Sequence, residues 1–430
     1  MEKKVWVVAA DMGYGHQRAA YPLKDIAYEG IINANSDKMI SEKEKKIWNT
    51  SRTFYEWVSR ISEVSPIGKF LFDLFNKIQK IDPYYPRTPN TKPNSEVKYL
   101  EKQIKKGLCK GLIKYIEKKD IPMITTFYLP AIAADVYKLP KVYCVVTDTD
   151  INRVWVPRDP SSSSIIYFAP CQHAANRLAS YGVKPENIIL TGFPLPKECL
   201  GEDSEIAKKA LAKRIVNLDP KHVFIKAHMA EIKSVLGKDF RVDSSPKPPT
   251  LTFVVGGAGA QKEIGVELMI SLKKKIKEGK IRLVLVAGTH LDVKQYFEDE
   301  AEKSGLSKHK DENLIIVSEM KKKDYFEKFN KILNETDVLF TKPSEMSFYS
   351  ALGVPIVILP PIGEQEGWNR KWLSEIGAGI DEENPKYASD WIEEWLSDGR
   401  LAMRALSGFV NAPRNGTYEI ERIISKQWKK

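Results

Sequence analysis

Four cysteines in 430 residues, at positions 109, 144, 171 and 199, form no CxxC pair from which a zinc ribbon or a dithiol motif could be built. They read as reduced core residues. No apolar run approaches the ~18 residues that a membrane-spanning helix needs. The N-terminal run VWVVAA, six residues before Asp11, is too short for the core of a signal peptide. A cytoplasmic protein is therefore expected. No zinc-finger or other nucleic-acid motif accompanies the basic charge, so nucleic acid is not an expected partner.

What the chain does have is ordinary globular chemistry, 43% hydrophobic and 29% charged, over a length that favours two domains. Its net charge of +11 is concentrated: residues 38–119 hold 19 Lys and Arg against 9 Asp and Glu. The same stretch carries Trp48, Trp57, Phe70, Phe72 and Phe75. Aromatics interleaved with lysines suit an anionic membrane surface, and these five are the candidate membrane residues. A helical insertion with solvated lysines and packed aromatics is the plainer reading of the same composition.

Apolar β-branched runs alternate with helical patterns along most of the chain, which predicts an α/β architecture with parallel, doubly wound sheets. Residues 5–9 read as a strand running into DMGYGH, where Gly13 and Gly15 make a tight strand-to-helix turn. GxG alone is a weak signal. A second such turn follows the strand at 251–255, in GGAGAQKE, where Gly256, Gly257 and Gly259 would let backbone approach a phosphate. That turn lacks the third glycine of a dinucleotide fingerprint and an acidic residue at the end of the next strand, so an oxidoreductase has little support. The stretch 337–380 reads as strand, helix, strand, polar loop and helix. Ser344 and Glu345 stand at the start of its first helix, where free N–H groups favour an anion, with Pro343 at the first helical position. The loop 363–369 then brings carboxylate, amide and indole groups to the end of the next strand, where open α/β sheets bind ligands.

GEQEGWN followed by a helix and GAG is similar to the GQEAGN…GAG block of the monogalactosyldiacylglycerol synthase group in glycosyltransferase family 28. More distantly the chain resembles the lipid-linked N-acetylglucosaminyltransferase of peptidoglycan synthesis. DMGYGH resembles the family's DTGGGH, with Tyr14 in place of the middle glycine. VVTDTDINRVWV resembles its VVTDFxVHPxW block, with Asp148 and Trp155 in place and Asn152 where the family has histidine. Lys342 matches the lysine of KAGPGT, whose glycines are here Pro343, Ser344 and Glu345. The family's ribose-binding glutamate is Phe348. The resemblance covers five blocks in the family's order, near 5–23, 142–156, 166–196, 251–263 and 337–380.

This resemblance implies a GT-B enzyme: two Rossmann-like domains facing a cleft, inverting transfer from a nucleoside-diphosphate sugar, UDP-sugar first, to a lipid acceptor such as diacylglycerol, and no required metal or further cofactor. The expected domains are 1–200, carrying the basic aromatic insertion at about 41–120; an insertion and linker at 201–249; a donor domain at 250–410; and a helix over 411–430 returning to the first domain. The donor would contact Gly256, Gly257, Gly259, Lys342, Ser344, Glu345, Gln365, Glu366 and Asn369. Gly13, Tyr14, Gly15, Asn152 and Trp155 would line the acceptor side. For the chemistry His16 is the expected base, with an ordinary imidazole pKa near ~6.5. Asp11 would orient the imidazole or the acceptor, and Asp148 is a further candidate. Three other readings stay open, one of them the same transfer to a non-lipid acceptor. The departures at Tyr14, Asn152 and Phe348 suit a silent protein that binds nucleotide or membrane, and DTD at 148–150 could be the metal-binding DxD of the single-sheet glycosyltransferase fold.

Overall fold

The computed structural model describes residues 4–42, 44–46, 48, 81, 83–87, 89–242, 246–256 and 259–427. Trp57, Phe70, Phe72, Phe75 and Gly257 lie outside the described residues. The chain divides into two compact units. One comprises Met1–Leu195, Ile362–Asn369 and Asn415–Lys430, the other Pro196–Pro361 and Arg370–Arg414.

The first unit is built on six parallel strands: β1 (Val5–Ala9), β2 (Ala27–Asn33), β3 (Met123–Thr125), β4 (Val142–Val145), β5 (Ile166–Ala169) and β6 (Ile188–Leu190), in the order β2-β1-β3-β4-β5-β6. Every residue of β1 is buried, as a strand covered on both faces requires. Its core joins Val5, Val7 and Ala9 to Ile124, Tyr143, Val145 and Phe168, and to Ile420 and Ile424 of the C-terminal helix Gly416–Gln427. That helix is seated by close backbone approach. A Cβ on Gly416 would lie 2.3 Å from the Phe193 carbonyl oxygen, so only glycine fits. Thr417 Oγ1 then donates to the Leu195 carbonyl.

The second unit repeats the scheme with β7 (Thr250–Val254), β8 (Arg282–Val286), β9 (Leu314–Val317), β10 (Val338–Thr341), β11 (Ile356–Ile358) and β12 (Gly379–Asp381), all parallel, in the order β12-β11-β10-β7-β8-β9. The expected pair of doubly wound sheets is what the chain forms. In each sheet the winding reverses once, between β1 and β3 in the first and between β7 and β10 in the second. The carboxyl ends of those strand pairs are where such folds place ligands.

Two expectations need correction. Residues 201–249 are not a separate insertion and linker. They group with the second unit and fold as helices Glu205–Leu218, Val223–Ala227 and Met229–Leu236. Arg214 holds the first of these in place, its buried guanidinium donating to the carbonyls of Thr336 (2.8 Å), Leu352 (3.1 Å) and Gly353 (3.1 Å). The second correction concerns the helix after β10. It is a 3₁₀ helix, Glu345–Leu352, capped by Ser344, so Pro343 precedes the cap instead of opening the helix. Ser347 N bonds back to Ser344 O at 2.9 Å, the i→i+3 closure that defines this tighter coil.

Candidate functional site

At the first switch point, β1 leads through Asp11 and Gly13 into the short helix Tyr14–Ala20. Gly13 takes φ 101° in open space, so the backbone angle, and not crowding, calls for glycine here. Asn35 fastens the loop from both sides: its Oδ1 accepts from Asp11 N (2.9 Å) and its Nδ2 donates to Asp11 O (3.0 Å). Gly15 and His16 fall in the first turn of the helix. Tyr14, expected at the acceptor side, is buried with the Arg18 guanidinium 5.9 Å from its ring.

His16 Nδ1 lies 2.7 Å from the Thr126 carbonyl at the end of β3. The carbonyl can only accept, so Nδ1 carries the proton and Nε2 keeps the lone pair. Thr126 Oγ1 returns a bond to His16 O at 2.7 Å. The rings of Phe127 and Trp155 stand 4.5 and 6.3 Å away. Burial pushes the imidazole pKa down to about 4, against a smaller opposing effect of the Thr126 bond. The expectation of an ordinary pKa is thus corrected. The group that orients Nδ1 is the Thr126 carbonyl, which leaves Asp11 the acceptor as its candidate partner. Trp48, expected at a membrane, is 4% exposed and packs 6.0 Å from Phe127.

The four residues after Val146 face different partners. Thr147 Oγ1 is 3.4 Å from His16 Nδ1. Thr149 donates twice to Asn369 Oδ1, from N (3.0 Å) and Oγ1 (2.8 Å), and Asn369 Nδ2 donates to Asp148 Oδ1 (3.1 Å). Asp150 receives Arg177 Nε (2.7 Å) and Nη2 (2.8 Å) together with His173 Nε2 (2.9 Å). Burial alone would raise the Asp150 carboxyl, but the bonds from Arg177 and His173 outweigh it and hold the carboxyl below its ordinary value. A carboxylate so engaged is not a metal ligand, which removes the DxD reading. Asn152 caps the turn Arg153–Trp155, and among the described residues its buried Oδ1 has no hydrogen-bond partner. Trp155 is buried, its ring 5.4 Å from Tyr128.

The residues 364–369 were expected in a loop; they form the first turns of helix Glu364–Glu375. Glu366 is buried and accepts from Ile362 N at 2.7 Å, which ties down the chain entering the helix. Gln365 is half-buried one residue earlier. Asn369 is fully buried and its amide is committed to Asp148 and Thr149. In this structure it is a structural link of the first unit.

At the second switch point, β7 ends in the turn closed by Gly259 N donating to Gly256 O at 2.8 Å. Lys342, just past β10, lies across this turn, since a Cβ on Gly256 would fall 2.9 Å from Lys342 Cε. His290, which the sequence did not single out, borders Gly259, 3.7 Å from where a Cβ would stand. The Ser344 hydroxyl is buried and among the described residues has no partner. Glu345 is buried too. Phe348 is 2% exposed and packs 5.2 Å from the Trp372 ring, so the position of the family's ribose ligand belongs to the apolar core.

Residues 238–422 match a family described as a domain of unknown function, DUF6938. The processive diacylglycerol β-glucosyltransferase of Bacillus pumilus (strain SAFR-032) is 23% identical over 88% of this chain and 82% of its own. That of Bacillus cytotoxicus is 23% identical over 98% of this chain and 94% of its own. The chain is similar to these glucosyltransferases over most of its length. The likeness first carried by five motif blocks thus runs through nearly the whole length, helical segments included. Among solved structures, the Acinetobacter baumannii MurG crystal structure aligns over 99% of both chains, with 14% identity and a TM-score of 0.47.

Proposed function

We propose that this protein is a GT-B glycosyltransferase that moves a sugar from a UDP-sugar to a lipid acceptor, with inversion. The observation that carries the proposal is the second switch point, where the Lys342 side chain lies against Gly256 and the buried Ser344 hydroxyl, two residues further on, has no hydrogen-bond partner among the described residues. An ammonium against a glycine, with a hydroxyl nearby in the chain, suits a diphosphate, whose negative charge rises as the sugar leaves. Full-length similarity to enzymes named as diacylglycerol glucosyltransferases supports both substrate classes. The first unit offers His16 Nε2, a neutral acceptor walled by Phe127 and Trp155, as a seat for a hydroxyl on an apolar molecule. Gln365 and Glu366 remain as candidate sugar ligands.

The purified chain, incubated with a panel of UDP-sugars and diacylglycerol in mixed micelles, is expected to release UDP and form a glycolipid seen by mass spectrometry. UDP binding with neither transfer nor hydrolysis across the panel would establish the silent-binder reading, which the burial of Phe348 favours. The basic excess over 38–119 supports attraction to anionic lipid, worth about 1 kcal/mol per basic residue at the surface before screening. Sedimentation with vesicles should then show binding to anionic but not neutral lipid, weakening with salt. Equal binding to both would leave the segment a solvated insertion.

A further inference from the structure

The geometry points to His173 as the proton acceptor of the transfer reaction, oriented by Asp150; this rests on the glycosyltransferase reading above. Helix Gln172–Ser180 follows β5 and places His173 and Arg177 four residues apart on one face, toward Asp150 in the loop after β4. The Asp150 side chain is completely buried, and its charge is met by two bonds from Arg177 and one from Ile151 N (2.8 Å). The ion pair is complete without the histidine. What the fourth contact does is fix the imidazole: Nε2 carries the proton to the carboxylate, and Nδ1 keeps its lone pair. Among the described residues Nδ1 has no hydrogen-bond partner, and the side chain retains 26% exposure.

The ring is held in its plane by Tyr84 (4.2 Å) on one contact and Trp368 (5.1 Å) on another, which leaves its edge as the reactive side. Trp368 belongs to the same helical turns as Gln365 and Glu366, the residues that resemble the family's donor block. His173 is thus the histidine in contact with that block. His16 faces Thr126, Phe127 and Trp155 instead. The electrostatics separate the two as well. A proton taken up by His16 creates a cation in a buried pocket against a neutral carbonyl, whereas one taken up by His173 creates a cation 2.9 Å from a carboxylate. Arg177 and Arg87 each stand 5.1 Å from the Tyr84 ring; Arg177 offsets part of the attraction while it fastens the carboxylate. A base held by a buried carboxylate is the arrangement that nucleophile activation uses generally. In the step, the acceptor hydroxyl gives its proton to Nδ1 as its oxygen bonds to the anomeric carbon. The bond from that carbon to the diphosphate breaks, and the electron pair leaves on UDP.

The test compares the parent chain with His173→Gln, whose amide can still donate to Asp150, and with His173→Ala. Transfer from the UDP-sugar that the parent uses should fall ~10²–10⁴-fold, while melting temperature and UDP affinity persist. Added imidazole should restore part of the rate to His173→Ala. Turnover of His173→Gln within a few-fold of the parent overturns the inference and leaves the glycosyltransferase reading standing. A parent that transfers no sugar overturns both. Should the variants not fold, diethyl pyrocarbonate modification of the parent decides: loss of transfer must track modification of His173 and be slowed by UDP with acceptor, and loss tracking another histidine overturns the assignment.

Discussion

Asn369→Ala separates a structural link from a donor ligand at a position where the family block suggests the latter. The parent amide accepts two bonds from Thr149, one of them from a buried backbone N–H, and donates one to the Asp148 carboxylate. Removing it leaves the Thr149 N–H without its partner at a cost of about 1–3 kcal/mol, and deletes a bond to a charged group worth about 1.5–3 kcal/mol. The two effects share one site and do not simply add, so a total loss of about 3–5 kcal/mol is expected. Urea unfolding should show this as a lowered midpoint at unchanged slope. Calorimetry on the folded variant, in the cold and without urea, should give a UDP affinity within about threefold of the parent. A variant that keeps its stability within about 1 kcal/mol and loses tenfold or more in UDP affinity would refute the reasoning and return Asn369 to the donor site.

Burial drives the Asp337 carboxyl up to about 6, against the opposing pull of Arg214, the Thr250 N–H and Asn217. A folded pKa above the unfolded value near ~3.9 means that stability from this group is full below about pH 4 and is lost as pH rises through 6, by about 3 kcal/mol in all. Urea midpoints of the parent should carry that slope and those of Asp337→Asn should not; parallel curves would dismiss it. His16, held down at about 4 by burial, should remain neutral through the physiological range. Its imidazole NMR resonances are expected to stay flat from pH 8 to about 5, and a midpoint near ~6.5 would show the ring to be solvated. The same ring stabilises the fold above pH 6.5, and that contribution is lost as pH falls toward 4.

The sheets were legible because their strands are buried on both faces, so each reads as a short apolar run between breakers, as at Val338–Thr341 and Ile356–Ile358. The site was legible only where a local motif dictates local backbone, as at Gly13 and the Gly256 turn. What stayed hidden depends on pairs far apart in sequence. Nothing local to Arg214 announces that it will cap carbonyls at Thr336 and Leu352, and without them residues 201–249 look like a polar insertion. Nothing in GEQEGWN announces that its asparagine is taken by a turn 220 residues earlier. His173 shows the intermediate case. Its spacing to Arg177 puts both on one helical face and can be read from YFAPCQHAANR, but a histidine and an arginine four apart are most often a solvated pair. Only the buried Asp150, reached through the fold, turns that face inward and gives the imidazole a carboxylate to lean on. In this protein the hydrogen-bonded clusters beyond the strand ends join residues distant in sequence, and a motif match identifies the strand end more surely than the residues that meet beyond it.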